Sequence, residues 1–560
     1  MSLPRLTLLG IAFSFLALFF ILTTAWPHGA IFWHLLATHD LPAAWLMLGM
    51  LILGYGMSLQ HSTGTTGRTE QLLLMLDRQR YVVAAVLWVL LCAGSLWVYQ
   101  NHPLSMDEYA ALFQAKIFAA GAMHGQFPPD LLGHLIPRGF QNHFLLVNRD
   151  TGAVISAYWP GFSLLLTPFV WLGIPWACNP TLVATSFLLV GCIARDLIDS
   201  PLAAGWALLF ALASPAFVAN GIAYYSMPAH LLFNLGFAWL LLTPTPKRLF
   251  LAGLVGGFAL VLHNPFPHAA FALPWIAWLA MRHGQRVRNL AFLAAGYLPV
   301  FLLLGIGWWL WRQQMLSDVA QGASLVQAAG MEAPTLLDRL RKLLRLFLGF
   351  LNWPDQSILL ARLGGLIKLW LWASPLLLLL VWWGVRGEKK TGIRLLAASA
   401  LLTFFAYFLI RFDQGHGWGY RYFHSAWGVL PVLAALGAIK IAETDGPRAL
   451  RQLALLALLS LVAANGLRFA QMGDFMATHL AQFPPRVEAA HRVVLHNGSG
   501  YYARDLIQND PWLRGDELVL LVPFPSDRAA LIERFVAGKP EPLSNQYGDA
   551  YLGRPLPDGP

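Results

Sequence analysis

Charge is scarce in this chain of 560 residues: Asp, Glu, Lys and Arg together make up 12%, against 57% hydrophobic residues and a mean hydropathy of +0.56. That little polar material excludes a water-soluble globule of this size and leaves an all-α polytopic membrane protein. Cysteine is scarcer still. Cys92, Cys178 and Cys192 have no metal-ligand spacing and form no plausible disulfide framework, so they read as small packing residues. There is no repeat of solenoid period and no low-complexity tract.

What the chain has is apolar segments of membrane length. About thirteen are long enough to be read as transmembrane helices, near residues 7–25, 42–59, 81–99, 179–195, 202–219, 228–243, 249–263, 268–281, 289–311, 366–385, 393–411, 425–442 and 450–467. The first follows Arg5 and resembles a signal peptide, but its apolar core of about 20 residues favours an anchor.

The net charge of +10 would suggest nucleic acid in a soluble protein. Its distribution explains it otherwise. With a cytoplasmic N-terminus, the inner loops carry Arg68, Arg78 and Arg80, then Arg195, Lys247 and Arg248, Arg282, Arg286 and Arg288, Arg386, Lys389 and Lys390, and Arg448. The short outer loops 26–41, 220–227 and 263–267 hold no Lys or Arg, which is the positive-inside pattern. This arrangement requires the apolar stretch 161–173 to be a second surface helix, so that the whole loop 100–179 faces outward.

Four non-spanning pieces then share the outer side: residues 100–179; 312–365, with a basic interfacial helix at 335–350 carrying Arg339, Arg341, Lys342 and Arg345; the run RFDQGHGWGYRYFH at 411–424; and a tail from about 471. In the tail, alternation at 492–496 and 517–524 and a helical pattern at 526–536 predict a small α/β appendage. The domains expected are an additional N-terminal hairpin with its cytoplasmic loop at 1–80, a transmembrane body at 81–470 and an extracytoplasmic domain at 471–560.

The chemistry centres on Asp107 and Glu108, which follow a span and open an amphipathic helix, SMDEYAALFQAKIFAAG, expected to lie on the membrane surface. Ser105-x-x-Glu108 is a capping box, so Glu108 has a structural reading as a helix cap, and Asp107 one as a partner of the helix dipole. A cap needs only one acid. An aspartate held at the membrane boundary is also placed to accept a proton from a hydroxyl or amine attacking a lipid-borne electrophile.

A phosphate leaving group would need cations on the same side. Arg421 and Arg411, and His263 and His268 in HNPFPH, are available, each with a plainer reading as interfacial anchor or helix-end polarity; Asp413 is a possible partner for Arg411. Tyr420 and Tyr422 beside Arg421 are suited to stacking on a sugar or packing an isoprenoid chain. No third ligand completes a metal site around the histidines, so a divalent ion is not assignable and no cofactor is expected.

The acid pair leading DEYAALFQAKIFAAG in the first large outer loop, Tyr158-Trp159-Pro160-Gly161 opening the second surface helix, and Gly419-Tyr420-Arg421-Tyr422 before a late span together resemble the GT-C superfamily of polyprenyl-phosphate-sugar-dependent glycosyltransferases. Within it, the likeness is to bacterial members related to protein mannosyltransferases and aminoarabinose transferase. It covers residues 81 to about 442; a pair of spans precedes the usual first helix, and HNPFPH stands where many relatives carry an Arg-Pro turn.

The resemblance implies catalysis at the periplasmic face of a bacterial inner membrane. Asp107, with Glu108 beside it, would act as base in a single inverting displacement that transfers a sugar from a polyprenyl phosphate to a lipid, glycan or protein acceptor. Arg421, Tyr420, Tyr422, Arg411, His263, His268, Tyr158 and Trp159 would bind substrate, and the remaining partner is the bilayer, not nucleic acid. The alternatives are a transporter or lipid-linked glycan flippase, disfavoured by spans with almost no ionisable residue at mid-depth, and a glycan polymerase or ligase, which would not need Asp107.

Overall fold

The computed structural model describes residues 2–26, 29–59, 67–282, 284–316, 351–485, 491–537 and 541–554, together with residues 341, 345 and 349. The basic interfacial helix expected at 335–350 lies almost wholly outside the described residues. All thirteen apolar segments are helical, but they are not equivalent. Among the described residues seven helices are long and apolar enough to cross a membrane, from Leu3–Thr24 and Ile31–Ser58 through Arg286–Leu316 to Pro447–Leu480. The pair Ala203–Leu212 and Pro215–Ile222, bent by 69°, makes an eighth if counted as one span. Met227–Leu241, Pro246–Leu260 and Phe266–Met281 have only 15 or 16 residues, about 23 Å of helix.

Proline accounts for two of the interruptions, because it lacks the N–H that a helix interior needs. Pro215 follows the bend at Ser214, and the segment at 366–385 splits at Ser374-Pro375 into Gln356–Leu371 and Leu377–Val385, with Leu376 left-handed at φ 67°. The apolar helix Gly161–Trp171 has 11 residues, about 16 Å, too short to span and in keeping with a non-crossing element.

A buried charge cluster lies at the edges of the apolar segments read from the sequence. Lys368, on the helix Gln356–Leu371, donates to Asp40 Oδ2 at 2.5 Å, while Arg468 and the Trp372 indole each donate to Asp40 Oδ1 at 2.7 Å. Asp40, Lys368 and Arg468 are all about 1% exposed. The cluster fastens the N-terminal hairpin to two later helices, and Lys368 was hidden because one cation in a strongly apolar run barely alters its hydropathy.

Outside the bundle, residues 125–156 contain a three-stranded antiparallel sheet that the sequence did not predict: Ala153–Ser156 lies between the two-residue strand Gly125–Gln126 and Leu145–Val147. These strands are too short to carry an alternation signal. The tail forms Arg492–His496, Glu517–Leu521 and the helix Pro525–Phe535, as expected, and adds Leu543–Asn545 and Gly548–Leu552. Arg492–His496 pairs in parallel with Glu517–Leu521 and antiparallel with Gly548–Leu552, giving a four-stranded mixed sheet. The last membrane helix runs on to Leu480 before this domain begins.

The helix Met106–Ala119 is enclosed on all sides instead of lying open on a surface. Met106, Tyr109, Phe113 and Ile117 share a core with Val493, Leu495, Leu518 and Leu520 of the C-terminal sheet. Ala111 and Ala115 pack against Phe162, Leu166 and Leu182, and Leu112 joins the bundle core. Four alanines let neighbours approach closely, and the apolar face with Tyr109, Phe113 and Ile117, expected to lie on the membrane, is covered instead by a domain almost 400 residues away in sequence.

Candidate active site

The start of the Met106–Ala119 helix is held by three separate elements. Glu108 closes the capping box: Oε2 accepts from the Leu104 N–H at 2.6 Å and the Ser105 N–H at 3.3 Å, and Oε1 accepts from the Tyr99 hydroxyl and the Tyr224 N–H at 2.9 Å each. The C-terminal domain supplies Asp505, whose Oδ1 accepts from the Met106 N–H at 2.7 Å. The same domain's Asn509 donates its N–H to the Tyr109 hydroxyl at 2.8 Å. Asp107 is left to project into a cavity of about 610 Å³.

Three carboxyls thus crowd one helix terminus, and their surroundings drive them apart. Burial pushes Glu108 up to about 7 against the pull of its four donors. Asp505 rises to about 8 through burial, against its Met106 bond and with the charges of Asp107 and Glu108 adding to the rise. Burial acts upward on Asp107 too, but the charges of Arg421 and His263 and the hydrogen bonds from Tyr158 and Arg421 overcome it and hold the acid at about 2. Asp107 is therefore the one member of the trio firmly ionised at neutral pH.

Its two oxygens are both engaged. The Tyr158 hydroxyl donates to Oδ1, and Arg421 donates to Oδ2 at 2.6 Å, with the two side chains 16% and 18% exposed, into the cavity. The Arg421 guanidinium also lies 5.2 Å from the centroid of the Tyr225 ring.

The loop carrying Arg421 owes its course to glycine. Gly419 has φ +77°, and a Cβ there would sit 3.3 Å from the Trp372 ring; at Gly417 a Cβ would meet the Arg421 side chain at 3.0 Å. Gln414 clasps the turn, accepting from the Arg421 N–H at 2.8 Å and donating to the Gly419 carbonyl at 2.9 Å. Buried Arg362 braces the neighbouring segment through the carbonyls of Tyr407, Ile410 and Phe412.

Tyr158 is positioned by a short run of backbone pairing. The N–H groups of Trp159, Gly161 and Phe162 donate to the carbonyls of His263, Val261 and Leu262. Only glycine fits at 161, where a Cβ would come within 2.6 Å of the Val261 oxygen. This ladder brings YWPG against HNPFPH and stacks Tyr158 on His263, ring centroids 3.8 Å apart. Burial, opposed by Asp107 and assisted by Arg421, lowers His263 to about 4, so its imidazole is neutral at physiological pH.

Of the residues singled out in the sequence, Asp107, Arg421, Tyr158, Tyr422 and His263 converge on the cavity. Tyr422 stacks on Tyr407 at 4.3 Å and donates to the Asp413 carbonyl at 2.6 Å. Glu108, Tyr420, Trp159, His268 and Arg411 are not in its wall. Glu108 is spent on the cap, Tyr420 packs against Gly365, and Trp159 stacks on Phe301. His268 is 1% exposed with both ring nitrogens occupied, Nδ1 with Asn234 at 2.7 Å and Nε2 with the Tyr297 hydroxyl at 2.6 Å. Arg411 is exposed, and the Oδ1 of Asp413, its expected partner, accepts from the Gly415 N–H at 2.8 Å.

The structure adds Tyr225, His230, His416 and Tyr502 to the wall. Ser105 Oγ, Tyr225 hydroxyl and His416 Nδ1 form a chain with links of 2.9 and 2.7 Å. His416 stood within the aromatic and cationic run already noted, and Tyr225 in a short outer loop. Tyr502 carried no local signal, because it reaches the cavity from the C-terminal domain. The remaining lining is largely apolar, including Ile31, Phe144, Met227, Phe266 and Ile410. Among the described residues no group of three or more His, Cys, Asp or Glu is arranged to hold a metal ion.

The ion pair thus lies at the start of an enclosed helix packed between the helical body and the C-terminal sheet, in a chain with a GT-C-like fold. Among solved structures it is similar to ArnT from Cupriavidus metallidurans bound to undecaprenyl phosphate, with a TM-score of 0.50 and 14% identity over 84% of this chain and 97% of that one. The apo state of the same protein gives 0.49 and 12% over 84% and 96%. At such identity the likeness is one of fold. No protein-family model matches the chain, and neither does any curated protein.

Proposed function

We propose that this protein is an integral-membrane glycosyltransferase that moves a sugar from a polyprenyl phosphate to an acceptor at the extracytoplasmic face of the membrane. The reading is carried by one observation: a carboxylate and a guanidinium, Asp107 and Arg421, meet in a cavity whose remaining lining is largely apolar and aromatic. Such a cavity suits a substrate with an anionic head and an isoprenoid tail. The GT-C-like fold and the similarity to a structure holding undecaprenyl phosphate support the same substrate class.

In the reaction, an acceptor hydroxyl attacks the anomeric carbon and passes its proton to Asp107. The bond from that carbon to the phosphate oxygen breaks, its electron pair leaves with the phosphate, and the configuration inverts. Arg421 neutralises the charge that develops on the leaving group, a contribution that is strong where water is excluded.

The resting ion pair explains how a carboxylate held near 2 becomes useful. Arg421 is shared: once the donor phosphate draws the guanidinium away, Asp107 loses the charge that depressed it and becomes a better base. Residues 81–470 would form the catalytic body, 1–80 an added hairpin, and 471–560 an extracytoplasmic domain that clamps the catalytic helix. The test is sugar transfer by purified protein supplied with a polyprenyl-phosphate sugar. An Asp107→Asn variant of equal abundance should lose turnover, whereas a flippase or glycan ligase would be indifferent to that change.

A further inference from the structure

The polar groups lining the cavity fall into two sets. Asp107, Arg421, Tyr158 and Tyr225 are bonded to one another or to near neighbours. His230, His416 and Ser425 line the same cavity and are 3%, 2% and 4% exposed, yet among the described residues His230 has no hydrogen-bond partner at Nδ1 or Nε2, His416 none at Nε2 and Ser425 none at Oγ. Buried polar atoms are nearly always paired, since leaving one unpaired costs about 1–3 kcal/mol. Several together on the wall of one cavity indicate a ligand that completes them.

The kind of ligand follows from their chemistry. A neutral imidazole offers one donor and one acceptor, and a hydroxyl offers both, which matches a sugar's hydroxyl groups. His416 is held neutral by burial and by the nearby Arg421 charge, and its Nδ1 is occupied by Tyr225. Among the described residues, the charged side chains in the wall are Asp107 and Arg421, which pair with each other, and Asp413, one oxygen of which is turned onto the Gly415 N–H.

We infer that His230, His416 and Ser425 form the donor-sugar subsite of this cavity and meet the hydroxyl groups of the sugar. This rests on the glycosyltransferase reading and adds to it the residues that hold the sugar. The three come from elements separate in sequence: the helix Met227–Leu241, the glycine-rich loop before Arg421, and the short helical turn Arg421–Ala426.

The experiment compares affinities of the full-length protein in micelles for undecaprenyl phosphate, either bare or carrying a neutral hexose, a neutral pentose, an amino sugar or a uronic acid. The expected result is that Ser425→Ala and His230→Leu each weaken binding of the neutral glycosylated carrier by about tenfold while changing the affinity for bare carrier less than twofold. Ser425→Ala removes a single atom and keeps the test decisive if the histidine variant folds poorly. Equal weakening of both ligands, or no change in either, would overturn the subsite. If the unaltered protein binds no bare carrier, the glycosyltransferase reading falls and the subsite with it. Retained carrier binding without sugar discrimination by the variants removes the subsite alone.

Discussion

Replacing Asp107 by Asn should move carrier binding and turnover in opposite directions. In the resting site Arg421 lies 2.6 Å from Asp107 and both side chains are mostly shielded from solvent. The fall of the Asp107 acidity from its ordinary 3.8 to about 2 occurs despite burial, and corresponds to about 2 kcal/mol favouring the charged, paired form. A donor phosphate must compete with that pairing. Asparagine occupies the same space without charge, so Arg421 becomes available and a nearby negative charge disappears. Undecaprenyl phosphate should then bind more tightly, by about thirtyfold if the net preference for the charged, paired form is recovered. Transfer should nevertheless fall by about 10²–10⁴, the usual contribution of a positioned general base. Titration with the carrier phosphate reads the first effect, and single-turnover transfer of a radiolabelled sugar reads the second. Weaker carrier binding by the variant would mean that Asp107 organises Arg421 for the phosphate and does not compete with it. Undiminished transfer would remove Asp107 from the chemistry altogether.

Glu108→Gln should lower stability by about 2–4 kcal/mol, because an amide nitrogen would face one pair of the four donors that Glu108 now accepts; thermal unfolding in micelles would show this, while the folded fraction keeps turnover within severalfold of the parent. Asp40→Asn should cost about 3–5 kcal/mol by stranding Lys368 and Arg468 in the bundle, and a Lys368→Met change added to it should recover part of the loss in the same melting assay. Acidification should act in opposing directions: Glu108 and Asp505, raised to about 7 and about 8, contribute stability that is gained as pH falls through those values, whereas His263 and Asp107 contribute stability that is lost in two separate steps. His263 is depressed from 6.5 to about 4, so the unfolded chain binds its proton first; stability present above pH 6.5 is lost as pH falls toward 4, by up to about 3 kcal/mol. The Asp107 contribution is present above about 3.8 and disappears toward pH 2. His263→Gln should flatten the upper step of a melting-temperature profile and leave the lower one; an unchanged upper step would show that other buried histidines cause it.

The sequence by itself determined that the chain is a helical membrane protein, roughly where each apolar helix lies, and that an acid pair opens a helix near an interface. These properties depend on local hydropathy, on loop charge and on a capping box, all readable within a few residues. It also marked Arg421, Tyr158 and His263 as candidates through short motifs in separate loops. Only the tertiary structure decided that those three meet at Asp107, because the pairing of residues 159–162 with 261–263 and the glycine-shaped loop before Arg421 act across hundreds of positions. It divided the acid pair as well, assigning Glu108 to the cap and Asp107 to the cavity. His268 and Arg411 had composition in their favour but not position. Tyr502, Asp505 and the Asp40 cluster were invisible for the same physical reason: burial, charge pairing and shared hydrogen bonds are properties of what comes together in space, and neighbours along the chain do not report them.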